Sequence, residues 1–209
     1  MLFNHEKTML LLKKYGIKTG KQYNCKNLED AVKKASKLKP PLVLKVLAEN
    51  VFHKTEKKLI ALDLHDENDL VKAFHRLDKN SIGLKQKSFL LQEELKGAEL
   101  IVGARKDPSF GNIVLYGSGG IFAELFKDTA IMLSPITRSE ATKMISSTKS
   151  CAFFGEGFRG RKASREKVIE LLLKTSKMIE KERIESIDFN PVIATQEEAL
   201  IVDAKIVKK

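Results

Sequence analysis

Tryptophan is absent from these 209 residues, and tyrosine occurs only three times. So few stacking rings argue against a protein that reads nucleic acid by base stacking. The two cysteines, Cys25 and Cys151, lie far apart. They supply neither a disulfide framework nor a metal site of closely spaced Cys pairs, and idle thiols are expected. The four histidines, at positions 5, 53, 65 and 75, are too scattered for a zinc enzyme. Glycine and proline number 12 and 5, too few for a collagen-like or low-complexity chain. No apolar run approaches the roughly 20 residues of a membrane span. The start, Met1-Leu2-Phe3-Asn4-His5-Glu6, lacks the basic and apolar segments of a signal peptide. The sequence therefore predicts a cytoplasmic protein that engages neither membrane nor nucleic acid.

With 43% hydrophobic and 31% charged residues, the chain can build a substantial core, in one domain or two joined lobes. The net charge of +11 divides into +7 over residues 1–100 and +4 over residues 101–209. A diffuse positive field of this kind favours polyanions such as nucleotides or coenzyme A, without choosing among them.

Periodicity outlines the elements. A helix runs over about 6–15, with Asn4 placed to cap it and Gly16 to end it in the left-handed conformation. A strand at 21–25 precedes a helix opened by Asn27-Leu28-Glu29-Asp30 and stopped by Pro40-Pro41. Leu42–Leu47 reads as a buried strand. A polar loop over 48–58 leads to a strand at 59–64 and a helix at about 67–77. Strands follow at 89–95, 99–105, 112–116, 121–125 and 130–133, then helices at 138–148 and 164–181, then strands at 185–189 and 199–207. The mixed order predicts an α+β fold of two lobes that meet near residues 92–97, about 1–95 and about 96–209.

Several polar residues interrupt apolar strands. Alternation puts Lys45 on the face shared by Val43 and Leu47, where an amine needs an anion or a route to solvent. His53, in Val51-Phe52-His53-Lys54-Thr55-Glu56, is an ordinary loop histidine or a nucleophile with a cation beside it. Gln92-Glu93-Glu94, followed by Gly97-Ala98-Glu99, is a polar strand end or a junction that offers backbone groups to a base and a carboxylate to a ribose. Gly117-Ser118-Gly119-Gly120 follows a strand, so it either makes a plain hairpin or brings backbone N–H groups to an anion; it matches neither the P-loop nor the dinucleotide fingerprint. Asp188 and Asn190 share one strand face in Ser186-Ile187-Asp188-Phe189-Asn190-Pro191, and Asp203 lies within the apolar strand Ile201–Ile206. Pairing of these strands gathers hard oxygens suited to Mg²⁺, which takes one or two protein oxygens plus phosphates.

Taken in order, these segments resemble the ATP-grasp subunit of the ADP-forming acyl-CoA synthetases, the beta subunit of acetate–CoA ligase (ADP-forming). The matching pieces are Lys45 in Leu42–Val46, His53-Lys54-Thr55, Gln92 through Glu99, and Gly103 with Asp107-Pro108-Ser109-Phe110-Gly111. They continue through Gly117–Gly120 with Glu124 and Asp128, Pro135, Gly157-Phe158-Arg159-Gly160, Ile187–Pro191 and Val202-Asp203-Ala204. The resemblance implies an ATP-grasp fold with ATP held between two α+β lobes, and the reaction ATP + acyl acid + CoA ⇌ ADP + phosphate + acyl-CoA. It implies ATP/ADP and Mg²⁺ as cofactors, and an alpha subunit that handles CoA, acyl phosphate and a short organic acid. By the same resemblance Lys45 contacts ATP phosphates and His53 carries phosphate. Gln92, Glu93, Glu94 and Glu99 lie at the base and ribose, with Gly117, Gly119 and Gly120 as nucleotide-binding glycines. Asn190 and Asp203 bind Mg²⁺ with Asp188 in support.

The chain departs from the family pattern twice. Lys58-Leu59 stands where the family carries a Gly-Gly pair after its histidine motif, and Met132 stands where it carries an Arg before Pro135. These departures motivate one alternative, a divergent, non-catalytic nucleotide-binding subunit; a second, an ATP-grasp carboxylate–amine ligase, is opposed by His53-Lys54-Thr55, since such a ligase needs no phosphohistidine.

Overall fold

The computed structural model describes residues 2–48, 58–85, 87–119 and 128–208. The chain forms two compact units: Gly20–Leu95, and Met1–Thr19 together with Lys96–Lys209.

The smaller unit is a four-stranded antiparallel sheet in the order β1-β4-β2-β3, built from β1 (Gln22–Cys25), β2 (Leu42–Leu47), β3 (Ile60–Leu64) and β4 (Ser88–Glu93). Helices α2 (Leu28–Ala35) and α3 (Glu67–Asn80) pack against it. Each begins where an Asx side chain accepts a backbone N–H three residues on: Asn27 from Asp30, Asp66 from Asp69. Leu42, Leu44 and Val46 of β2 join Phe89 and Leu91 of β4 in the core under the helices. Strand alternation then sends Val43 and Lys45 to the other face. Cys25 is buried in this core, and burial pushes its thiol up to about 11, which leaves it protonated and inert.

The larger unit is a six-stranded antiparallel sheet. β5 (Ala98–Asp107), β6 (Gly111–Ser118), β7 (Thr129–Leu133), β8 (Ile184–Ala194) and β10 (Ala204–Lys208) run in the order β10-β8-β5-β6-β7, and the short β9 (Ala199–Ile201) also pairs with β8. Helices α1 (His5–Lys14), α4 (Arg138–Ser146) and α5 (Arg165–Lys181) supply the apolar residues that cover one face. Thr137 and Glu140 close a reciprocal capping box at the start of α4.

The sequence places residues 1–19 with the first lobe; the structure assigns them to the larger unit. Leu2 bridges Val207 and Thr19 bridges Ile201, so both ends of the segment join its sheet. Leu12 is buried in its core, and Tyr15 and Lys14 both donate to Glu182 at the end of α5. Asn4 caps α1 and Gly16 adopts φ +60, as read from the sequence. The bridges and the bonds to Glu182 are invisible to local periodicity, because these partners lie more than 160 residues away.

Candidate functional site

In the larger unit the chemistry gathers where two strands lose their pairing together. β8 pairs with β5 through Phe189 and again from Val192, leaving Asn190-Pro191 as a bulge opposite Ile101. On the other side of β8, register runs to Ala204 in β10 and resumes at Ile201 in β9, so the ladder is interrupted at Val202-Asp203. Two backbone bonds lock the gaps together: Asn190 N–H to Asp203 O at 3.2 Å and Val202 N–H to Pro191 O at 3.1 Å. Bulges re-aim side chains, and here both polar residues sit in matched interruptions. Asp203 is thus in a break between two strands, not inside one long strand as the sequence predicts. The register shift falls at Asn190-Pro191, just beyond Asp188 and Phe189.

Asp188 lies in register with Gly103 on one side and Lys205 on the other. Burial holds its carboxyl above the ordinary aspartate range; the Lys205 ammonium works against that rise, and the charge of Asp203 adds to it. Asp188 and Asp203 are therefore close enough to repel each other, and a cation relieves that repulsion. Among the described residues no cluster of three or more His, Cys, Asp or Glu side chains occurs. Two carboxylates and an amide fit an ion such as Mg²⁺ that draws its other ligands from phosphates and water. Lys205 escaped the sequence reading, although its alternation with Asp203 was the signal for it.

This electrostatic arrangement has a testable sign. A native pKa raised above the unfolded value of about 3.9 means that the folded state binds the proton more tightly. Stability then falls as pH rises through the window that starts near that value and ends at the raised native one, and it stays lowered above. Asp188→Asn is expected to stabilise the metal-free chain at pH 7 by on the order of 1 kcal/mol, and not at pH 3. Thermal melts at the two pH values check this; an equal difference at both would remove the electrostatic account.

Glu99, at the start of β5, belongs to the same sheet face as Gly103 by alternation. Its carbonyl accepts the Gly119 N–H at 2.8 Å, and its carboxylate meets Arg161 at 3.8 Å. Gly117 and Gly119 are packed against backbone: a Cβ on Gly117 would lie 2.6 Å from Asp128 O, and one on Gly119 would lie 2.7 Å from Glu99 C. The N–H of Ser118 donates to Asp128 O at 3.2 Å. With the Ser118 and Gly119 N–H groups already bonded, this stretch closes strand ends and does not present those groups to an anion. Gly120 and Glu124 lie outside the described residues.

In the smaller unit Lys45 is 6% exposed and pairs in register with Leu90 and Ile60. Gln92 is opposite Val43, which makes it a diagonal neighbour of Lys45 on the face away from the helices. Gln92 is 4% exposed, and among the described residues its Oε1 has no hydrogen-bond partner. An orphaned buried acceptor of this kind costs about 1–3 kcal/mol until a donor reaches it. Glu93 and Glu94 each carry a main-chain contact that the sequence does not show. Glu93 Oε1 accepts the Lys39 N–H at 3.0 Å, and Glu94 Oε2 accepts the Asp63 N–H at 2.8 Å. Asp63 needs that anchor, because it sits at φ +59 in the β3 bulge opposite Val43. Both carboxylates thus secure their own unit's backbone. Among the described residues, no main-chain N–H bonded to the Glu99 carboxylate is seen, in contrast to Glu93 and Glu94.

His53 lies outside the described residues. Just after it, Lys58 adopts φ +52, the left-handed region that glycine enters without strain, and Leu59 is buried at 1% exposure. The carbonyl of Lys58 accepts the Asn80 amide at 3.1 Å. This chain therefore keeps the backbone shape of a glycine at position 58 while anchoring position 59 in the core. Met132 pairs with Val114 and packs against the larger unit's core, so this position adds apolar contact and no cation.

Two antiparallel α+β units, one with a buried lysine and one with paired acidic strand breaks, define the class. A sequence model of the ATP-grasp domain matches residues 1–207, and the chain belongs to that family. It is 37% identical to acetate–CoA ligase (ADP-forming) II of Archaeoglobus fulgidus, over 99% of this chain and 30% of that protein. It is 32% identical to the beta subunit of acetate–CoA ligase (ADP-forming) II of Pyrococcus furiosus, over 95% of this chain and 88% of that subunit. The chain thus spans under a third of the length of the first relative and most of the second. A solved structure of the dinucleotide forming acetyl-coenzyme A synthetase 1 of Ca. Korarchaeum cryptofilum superposes with a TM-score of 0.82 at 31% identity, covering 99% of this chain and 92% of that one. That protein was captured with coenzyme A and Mg-AMPPCP, its phosphohistidine segment pointing towards the nucleotide binding site. Among the described residues, no helix is long and apolar enough to cross a membrane.

Proposed function

We propose that this chain is the nucleotide-binding part of an ADP-forming acid–CoA ligase, catalysing ATP + acyl acid + CoA ⇌ ADP + phosphate + acyl-CoA together with a CoA- and acyl-binding alpha subunit. The observation that carries the reading is the double strand break that sets Asn190 and Asp203 beside Asp188. These three residues hold Mg²⁺ with the nucleotide's phosphate oxygens. The bound ion supplies charge neutralisation for the phosphates. Lys45 adds a second positive charge to the phosphates from its apolar strand, where low dielectric strengthens it. Gln92 Oε1 accepts an N–H from the base, and Glu99 accepts ribose hydroxyls, with Glu93 and Glu94 beside them at the base and ribose.

In the phosphoryl step the neutral imidazole nitrogen of His53 attacks the γ-phosphorus. The N–P bond forms as the bond to the β-γ bridging oxygen breaks, and ADP leaves with the electron pair. The reverse step makes ATP. Acyl phosphate chemistry and CoA belong to the partner.

The test is to incubate the purified chain with Mg²⁺ and γ-³²P-labelled ATP. The expected result is an acid-labile, alkali-stable label on the protein, absent in His53→Ala and discharged to ATP by ADP. Nucleotide binding without any label would replace this reading with the non-catalytic alternative. Phosphate release driven by a carboxylate and an amine, with no label on the chain, would favour the carboxylate–amine ligase.

A further inference from the structure

Glu99 is held from several directions, and one of them has no structural purpose of its own. Gly119 fixes the backbone: its N–H donates to Glu99 O, and it approaches too closely for any side chain. The carboxylate is met by Arg161 Nη1 at 3.8 Å, with the two side chains 53% and 41% exposed. An exposed pair at that separation adds little to stability.

The chain nevertheless builds a small hairpin that delivers Arg161. Phe158 and Arg161 exchange backbone hydrogen bonds, both 2.9 Å. Arg159 (φ +49) and Gly160 (φ +73) occupy the turn between them, the pairing of left-handed residues found in a two-residue type I′ turn. Arginine at such a position is strained. Gly157 (φ +89) has no room for a Cβ, which would lie 2.8 Å from Arg161 O. The Phe158 ring packs edge-on to Phe153 at 6.2 Å and carries the Arg159 guanidinium at 5.4 Å. Below the hairpin, Ala163 N–H donates to Phe153 O at 2.9 Å. Strain and close packing thus both fix a turn whose returning arm begins at Arg161.

Along β5, Glu99 is four residues from Gly103, the register partner of Asp188, or about 13 Å at strand rise. The Asn190-Pro191 bulge lies between them, opposite Ile101. A nucleotide whose phosphates reach that acidic break puts its sugar towards Glu99.

We propose, resting on the nucleotide reading above, that Arg161 is a positioning residue for Glu99 and sets the preference of this site for ribonucleotides over 2′-deoxyribonucleotides. An ionised carboxylate is acceptor-only and has two oxygens, so it receives the vicinal 2′- and 3′-hydroxyls together. Arg161 holds the rotamer in which both oxygens are presented. At 3.8 Å it stands too far off to take up their lone pairs as a tight bidentate partner does. Loss of the 2′-hydroxyl leaves one oxygen unserved, which penalises the deoxy analogue.

The test is calorimetric titration of the full chain with Mg-ADP and with Mg-2′-deoxy-ADP, for the natural protein, Arg161→Gln, Arg161→Lys, Glu99→Gln and the Arg161→Gln/Glu99→Gln double variant. The natural chain is expected to favour ADP by about tenfold, the scale of a hydrogen bond to a charged group. Arg161→Gln is expected to weaken ADP severalfold, to leave 2′-deoxy-ADP nearly unchanged, and so to collapse the ratio towards unity. Arg161→Lys restores part of the ratio, and the double variant is no worse than Glu99→Gln. A purely structural role would weaken both nucleotides equally. If Glu99→Gln loses the ratio while Arg161→Gln keeps it, the role of Arg161 is overturned and the nucleotide reading stands. If the natural chain binds both nucleotides equally, the ribose assignment of Glu99 falls and the role of Arg161 falls with it.

Discussion

Replacing Asp203 with alanine is expected to lower Mg²⁺-dependent ADP affinity by more than about tenfold while leaving the fold intact. Loss of an outer-shell partner alone costs 10–100-fold in metal affinity, and Asp203 is proposed as a direct ligand. The fold survives because Asp203 contributes its carbonyl to the architecture: Asn190 N–H bonds to Asp203 O, which alanine retains. Removing the carboxylate also removes a charge that drives Asp188 upward, so the metal-free variant gains no new repulsion. The measurement is calorimetric titration with ADP, with and without Mg²⁺, beside a thermal melt. Affinity that falls only in the presence of Mg²⁺, with an unchanged melting temperature, supports the metal site. Unchanged affinity in both conditions would take Asp203 out of it.

Gly119→Ala is expected to destabilise the chain by about 3 kcal/mol, near the upper end of the usual cost of overpacking. The added Cβ would lie 2.7 Å from Glu99 C, 2.8 Å from Leu100 N and 3.0 Å from Glu99 O. All three obstacles are backbone, so no side-chain rotation makes room. The end of β6 must part from the start of β5, which breaks the Gly119 N–H to Glu99 O bond. For a protein of this length each kcal/mol shifts the melting temperature by about 2–4 °C, so a fall on the order of 10 °C is expected. An unchanged melting temperature would show that the strand ends separate freely and that Gly119 has no closing role. The same displacement moves Glu99, so nucleotide affinity is expected to fall with stability.

Much of the local structure was legible before any coordinates. Asn4 and Asn27 sit where helices start, because capping is a contact across three residues and leaves a local signature. Leu42–Leu47 reads as a strand because its run is apolar throughout, and Lys45 stands out because an amine there needs a reason. Asp188, Asn190 and Asp203 stand out for the same cause.

Tertiary structure decided what those residues can do. Whether Asp203 lies within a strand or in a gap depends on where β8 bulges, which is set by pairing with β5 across more than 80 residues. Glu93 and Glu94 look as available as Glu99 in the sequence, yet Lys39 and Asp63 claim the first two with backbone N–H groups. Residues 1–19 precede the smaller unit but fold with the larger one, through bridges to Val207 and Ile201. The sequence by itself determined most of the elements and the polar residues worth asking about, because periodicity and capping act within a few residues. Register, strand breaks and the partner of each carboxylate were decided by tertiary structure alone, because hydrogen-bond donors are assigned by closure of the whole sheet and not by neighbours in the chain.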